Sequence, residues 1–231
     1  MKNIFLTLTV ALGFTATIFG QQNKLDIGLV GSPSMIFLRG NDYIKESHKP
    51  KVGFSGGLSL QYNYPNTFSL RTDIQFERKG SVVPGAFTDI VGNVVGEDKP
   101  IHVNFNYLTV PILLRATFGK KTKCFVNAGT FLGYLIKQTF VYPAGTILPD
   151  GSDREDNTKN DKRLDFGATA GLGLSIPIKD KFLIAFEIRD NLGLYNVSAV
   201  PIDNDGTIKT NSTNLLISFS YKLGSRQTET K

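Results

Sequence analysis

The chain has 231 residues, 41% of them hydrophobic and 20% charged, with 23 glycines, 17 phenylalanines and no tryptophan, a balance that excludes disordered, collagen-like and coiled-coil proteins. A single cysteine, Cys124, excludes an internal disulfide framework and a thiolate zinc site, and two histidines, His48 and His102, leave little for a metalloenzyme. The net charge of +6 is not gathered into basic runs, so no nucleic-acid footprint is present and no nucleic-acid partner or cofactor is expected.

The N-terminus carries one cation, Lys2, then an apolar stretch from Ile4 to Phe19, then Gly20 before Gln21 and Gln22. This pattern predicts a signal peptide over residues 1–20, leaving residues 21–231 as one domain. Beyond residue 22 no run approaches the ~20 apolar residues that a membrane helix requires. A membrane protein with this mature sequence must therefore be a barrel.

From residue 24 onward the dominant signal is period-two alternation, which places successive side chains on opposite faces of a strand. The first segment, about 24 to 38, is interrupted by Pro33. The second sets Val52, Phe54, Leu58, Leu60, Tyr62 and Tyr64 against glycine, serine, Gln61 and Asn63. The third sets Phe68, Leu70, Ile74 and Phe76 against Ser69, Arg71, Asp73, Gln75 and Glu77, and the fourth sets Leu108, Val110, Ile112, Leu114 and Phe118 against Thr109, Pro111, Arg115 and Thr117. In the fifth, about 123 to 137, Phe131 and Leu135 blur the pattern. The sixth opposes Phe166, Ala168, Ala170, Leu172, Leu174 and Ile176 to Gly167, Thr169, Gly171, Gly173 and Ser175. The seventh opposes Phe182, Ile184, Phe186 and Ile188 to Glu187 and Arg189, and the eighth opposes Leu215, Ile217, Phe219, Tyr221 and Leu223 to Ser218, Ser220 and Lys222.

Connections alternate in length. Residues 64–67, 119–122 and 178–181 have hairpin-turn chemistry. Residues 39–49, 79–103, 138–162 and 191–212 form long loops. An even strand count with alternating short and long connections predicts an all-β, eight-stranded antiparallel up-and-down transmembrane barrel with short periplasmic turns and long extracellular loops, sited in the cell outer membrane. Two features oppose a soluble ligand-carrying barrel. On two strands the polar face is mainly Gly, Ser and Thr, as a crowded interior demands, and aromatics collect near both strand ends, as lipid-interface girdles do. The outer-membrane lipid and the barrel assembly machinery are the partners this reading implies.

The segments YLTVPILLR (107–115), CFVNAGTFLGYLI (124–136), LDFGATAGLGLSI (164–176) and LLISFSYKLG (215–224) resemble the outer-membrane β-barrel domain shared by PorT-like and "porin family" proteins. The resemblance covers nearly the whole mature chain and rests on strand patterns without catalytic residues. It implies an eight-stranded barrel in a Gram-negative outer membrane, one branch being tied to protein secretion machinery. The polar tail, residues 224–231, departs from many such barrels.

An eight-stranded barrel is just wide enough for its own side chains to fill it. Arg71, Asp73 and Glu77 on the third segment, Arg115 on the fourth, and Glu187 and Arg189 on the seventh are expected to point inward as a charge network. In it Glu187 should pair with Arg71 or Arg115 while Asp73 neutralises the other, because buried charges persist only when paired. His102, with Asp161 and Asp165 as possible neighbours, is the one rim constellation open to hydrolytic chemistry; a solvated loop histidine is the simpler reading. The stretch 150–162 and the DNDG at 203–206 lack a calcium loop's ligand ladder. The loop 79–103 is unusually apolar, through Val82, Val83, Phe87, Ile90, Val91, Val94 and Val95, and is a candidate protein-partner surface. The expected function is that of a non-enzymatic structural or interaction protein working through its external loops. The alternatives are a narrow channel for small solutes or hydrophobic compounds and, further off, a rim hydrolase or a secretion component.

Overall fold

The computed structural model describes residues 24–65, 67–85, 100–143, 148, 151–179, 181–202 and 206–223. The expected signal peptide, the polar tail and most of the apolar loop lie outside the described residues. Eight long strands are present: β1 (Leu25–Arg39), β2 (Lys51–Asn63), β3 (Phe68–Val83), β4 (Ile101–Phe118), β5 (Lys123–Val141), β7 (Leu164–Pro177), β8 (Phe182–Gly193) and β9 (Lys209–Leu223). A three-residue strand, β6 (Arg154–Asp156), and a short helix, α1 (Asp42–Ser47), lie in the connections. Each long strand pairs antiparallel with both neighbours, and β1 pairs with β9, so the sheet closes on itself as an eight-stranded barrel.

Closure turns the alternation of each strand into an inside and an outside. On β3, for example, Ser69, Arg71, Asp73, Gln75, Glu77 and Lys79 are buried, whereas Phe68, Leu70 and Ile74 are exposed. Leucines stand outward with more than half their surface free, Leu29 and Leu172 at 62% and Leu58 at 57%. This inverts the arrangement of a soluble protein. Aromatic rings meet outside at both ends of the wall: Tyr62 and Tyr64 with centroids 5.1 Å apart, and Phe182 against Phe219 and Tyr221, lie towards the tight turns. Phe54 and Phe76, 5.9 Å apart, and Phe166 and Tyr195, 5.1 Å apart, lie towards the long connections.

The strands run further into the long connections than alternation alone reaches. Lys79–Val83 continues β3 and Ile101–Val103 opens β4, paired from Lys79↔Phe105 to Val83↔Ile101. Sequence reading cuts these pieces off as loop because Gly80 and the consecutive valines Val82 and Val83 break the simple polar-apolar alternation. Gly80 holds φ +137°, and a Cβ there would strike the Val103 carbonyl, so glycine is what lets the two strands stay paired at that point. β5 likewise extends to Val141.

A β-bulge shifts the β4–β5 register between Asn106 and Tyr107, so that Tyr107 pairs with Leu135 while Asn106 pairs with Lys137, leaving Ile136 as the extra residue. Ile136 and Lys137 are then both exposed, and Gln138 and Phe140 turn to the inner side. The outer part of β5 receives β6 through Thr139↔Asp156, Phe140↔Glu155 and Val141↔Arg154. The wall made by β3, β4 and β5 therefore stands above the rest of the rim. α1 is capped by Asn41, whose side chain accepts a hydrogen bond from the Ile44 amide at 3.1 Å, and it tucks Ile44 into the mouth of the barrel.

The alternation of connection lengths makes an orientation testable. In a Cys124→Ala background, a cysteine replacing exposed Arg154 on β6 should react with an impermeant maleimide on intact cells. One replacing Lys121 in the β4–β5 turn should react only after the cells are opened. Labelling in the reverse order would place the turns outside.

Candidate functional site: the charged lumen and the mouth above it

All six charged residues singled out on the inward faces lie inside the barrel, each 5% exposed or less. Arg71 Nε donates to Asp73 Oδ1 at 2.9 Å and Arg189 Nη1 donates to Asp73 Oδ2 at 2.8 Å. Arg189 Nε donates to Glu187 Oε1 at 2.6 Å, and Arg115 Nη2 to Glu187 Oε2 at 3.1 Å. Since β3 and β8 stand opposite one another in the ring, the Arg189–Asp73 bond crosses the lumen. Arg189 joins the Arg71–Asp73 and Arg115–Glu187 pairs into one chain of alternating charge. Neutral amides complete the shell: Gln75 Nε2 donates to Asp73, Asn127 Nδ2 donates to Glu187, and Arg115 Nε donates to Asn127.

Two charged residues that belong here are absent from the sequence-level set. Lys79 Nζ donates to Asp165 Oδ2 at 3.1 Å and stands 3.9 Å from Glu77 Oε2, with both Lys79 and Asp165 completely buried. Thr210 Oγ1 donates to the same Asp165 oxygen at 2.6 Å, and Ser212 Oγ donates to Glu77 Oε1 at 2.6 Å. The missed signal is parity, because Lys79 extends the inward row 71-73-75-77 and Asp165 extends the inward row of β7. With them, the central network sets four cations (Arg71, Lys79, Arg115, Arg189) against four carboxylates (Asp73, Glu77, Asp165, Glu187), while a fifth buried carboxylate, Asp26, stands apart at the turn end, where Asn63 Nδ2 donates to it at 3.0 Å. Balance is what a low-dielectric interior requires.

Aromatic rings share the lumen with these charges. The Arg115 guanidinium lies 3.7 Å from the Phe125 ring centroid, and Lys79 Nζ lies 4.2 Å from that of Phe131. Both rings need room on the neighbouring strand, and β7 supplies it with glycine. A Cβ at Gly173 would fall 2.5 Å from Phe125 Cζ, one at Gly167 would fall 2.7 Å from Phe131 Cε1, and one at Gly171 would fall 2.9 Å from Glu187 Oε1. The small polar face of β7 thus makes space for large neighbours.

Two cavities lie at the ends of this plug. At the turn end a polar vestibule of about 340 Å3 has Arg71 and Arg115 among its lining residues. At the loop end a cluster of Leu38, Ile44, Val103, Phe105, Tyr107, Leu135 and Val197 caps the lumen. In its mouth-facing side is a recess of about 300 Å3, where apolar side chains such as Val103, Phe105 and Phe140 are joined by Gln138, His48 and Asp161. His48 Nδ1 lies 2.6 Å from Ser81 Oγ, and burial holds its pKa below the ordinary histidine value. Burial pushes the Asp161 carboxyl up to about 7.

His102 does not join either carboxylate. It lies on the outward face of β4 with Asn104 and Asn106, lining a cleft shared with Lys51, Arg78, Lys137 and Arg154, because Val103, Phe105 and Tyr107 occupy the inward positions between them. Asp165 is inside with Lys79, and Asp161 is in the mouth. The hydrolytic constellation weighed for His102 is therefore not assembled. Among the described residues no three His, Cys, Asp or Glu side chains gather as metal ligands.

Glu187→Gln should cost roughly 3–5 kcal/mol in urea unfolding, because Arg115 and Arg189 lose their shared counter-charge. Adding Arg115→Met should recover part of that loss; equal stability of wild type and Glu187→Gln would deny the network its role. A second expectation follows from Asp161. Its folded pKa of about 7 exceeds the ordinary aspartate value of 3.8, so between those values the folded state holds more protons than the unfolded one and stability falls as pH rises. The stability of Asp161→Asn relative to wild type should therefore climb from about pH 4 to about pH 7 and then level off. A difference that does not vary with pH would show Asp161 to be solvated.

The geometry agrees with comparisons to known proteins. Among solved structures the chain is similar to Neisserial surface protein A, with a TM-score of 0.50, 13% identity and coverage of 86% of this chain and 96% of that one. OprG from Pseudomonas aeruginosa has a TM-score of 0.45 and 10% identity, covering 88% of this chain and 98% of its own. Ail, the attachment invasion locus protein of Yersinia pestis, has a TM-score of 0.41 and 14% identity, covering 86% of this chain and 98% of its own. A comparison with curated protein sequences finds no match. The family model of the outer membrane protein β-barrel domain matches residues 7–199. With most of its length matched and its strands closed into an eight-membered ring, the chain belongs to the outer membrane protein β-barrel domain family and resides in the outer membrane.

Proposed function

We propose that this protein is a non-conducting, non-enzymatic barrel that acts as a structural or interaction protein through its loop end, which faces the outside. The observation that carries the reading is the Arg189–Asp73 bond across the lumen at 2.8 Å. It ties opposite walls together at a level where an eight-stranded barrel has no width to spare. The apolar cluster around Phe105 and Leu135 lies between this level and the mouth. A permeating ion would have to separate buried ion pairs and then cross a dry layer, two barriers of different chemistry in series.

The remaining parts of the reading fit the same picture. Residues 1–20 act as the signal peptide, and 21–231 form one domain delivered to the barrel assembly machinery and seated in outer-membrane lipid. The apolar loop between β3 and β4 is the natural place for a protein partner. Kinship with PorT-like or "porin family" proteins fits the strand patterns, and membership of the secretion branch does not follow from any residue found in the lumen.

Purified protein reconstituted into planar bilayers should give no steady conductance steps in symmetric salt. Discrete, reproducible steps from the wild-type protein would overturn the closed-barrel reading.

A further inference from the structure

The recess at the mouth combines an apolar wall with two acceptors that no donor among the described residues reaches. Gln138 is 1% exposed, and its Oε1 has no hydrogen-bond partner. Asp161 Oδ2 is likewise buried without a partner. Leaving such oxygens unmatched costs more than leaving the same groups in water. Their placement is specific: the β4–β5 bulge turns Gln138 inward, and the 3-10 turn Thr158–Asn160 leads Asp161 to the mouth, where its backbone bridges to Ser198. Among the described residues no lysine or arginine lines the recess, so the carboxylate has no counter-charge there. The other titratable side chains lining it are His48, Tyr43 and Tyr142; Tyr142 donates its hydroxyl outward to Glu155, and His48 turns Nδ1 to Ser81.

Two acceptors, one of them a carboxylate, set in an aromatic and aliphatic wall are complementary to a donor-rich cation on an apolar body. We propose that the recess binds a small apolar molecule bearing one ammonium group, with its N–H donors on Asp161 Oδ2 and Gln138 Oε1 and its body against Val103, Phe105 and Phe140. Aromatic rings beside the charge favour the same class, since an alkylammonium is attracted to their faces. A volume of about 300 Å3 limits the ligand to a compact molecule. The assignment does not depend on the barrel being closed, and a conducting barrel could carry the same recess.

Full-length protein in lipid nanodiscs, titrated calorimetrically against empty nanodiscs as the blank, tests this with three probes of one shape: 1-adamantylammonium, 1-adamantanol and 1-adamantanecarboxylate. The ammonium should bind saturably, the alcohol more weakly, and the carboxylate not at all. Asp161→Asn should weaken ammonium binding roughly tenfold or more, as the loss of one charge-assisted hydrogen bond does. Gln138→Leu should weaken it by a smaller factor and keeps the idea testable if the first variant folds poorly. Asp153→Asn, whose exposed carboxylate meets Arg154 away from the recess, should leave it unchanged. The proposal is overturned by absence of saturable ammonium binding, by equal affinity for all three probes, or by affinity that both recess substitutions leave intact.

Discussion

A single ion pair drawn across the barrel, Arg189 to Asp73, organises the rest of the interior. Each of its ends is shared, Asp73 with Arg71 and Arg189 with Glu187, so neither partner can leave without stranding a third. The consequence spreads into covalent choices elsewhere. At Gly167, Gly171 and Gly173 of β7 an added methyl group would meet a backbone carbonyl of β8 first and then Phe131, Glu187 or Phe125, and on β9 the hydroxyls of Ser212 and Thr210 serve Glu77 and Asp165. A charged core of this kind contributes little net stability over an apolar one of equal volume.

The division of labour between faces was open to reading from sequence wherever strand parity held. Period two identified the eight long strands, and it identified Arg71, Asp73, Glu77, Arg115, Glu187 and Arg189 as one inward set. Reading failed where parity itself was interrupted. Gly80 hid the continuation of β3 and with it the boundary of the loop at 79–103, and the extra residue Ile136 made β5 look irregular by exposing two consecutive side chains. Phe125, Phe131 and Leu135 added to the confusion, being apolar residues on the polar side, where they stack on cations or cap the lumen. His102 was drawn towards the two aspartates by its position at the rim. Only the parity of its neighbours shows that it points the other way. The mouth recess was beyond reach altogether, because β1, α1, the β3–β4–β5 wall and the segment around Asp161 meet there only after closure.

The inversion of polarity also separates two kinds of robustness. On the outer surface many leucines, isoleucines and valines do interchangeable work, since lipid chains make no demand on shape. Inside, eight charges are held by particular ion pairs and amide partners. Substitution should therefore be tolerated outward and punished inward, the reverse of the usual pattern in which the apolar core is the fastidious part.

The pairing of β1 with β9 joins the two ends of the described chain, from Leu25↔Leu223 to Arg39↔Lys209. No other seam spans so much sequence, and it cannot form until the final strand is available. Until that moment the growing sheet has two open edges, each a row of unpaired amides and carbonyls able to recruit a foreign strand. Contacts this remote in sequence also form slowly. Assembly is thus governed by its last event, and a chain halted before β9 is committed neither to the membrane nor to solution, with its lumen charges unmatched and its edges unguarded.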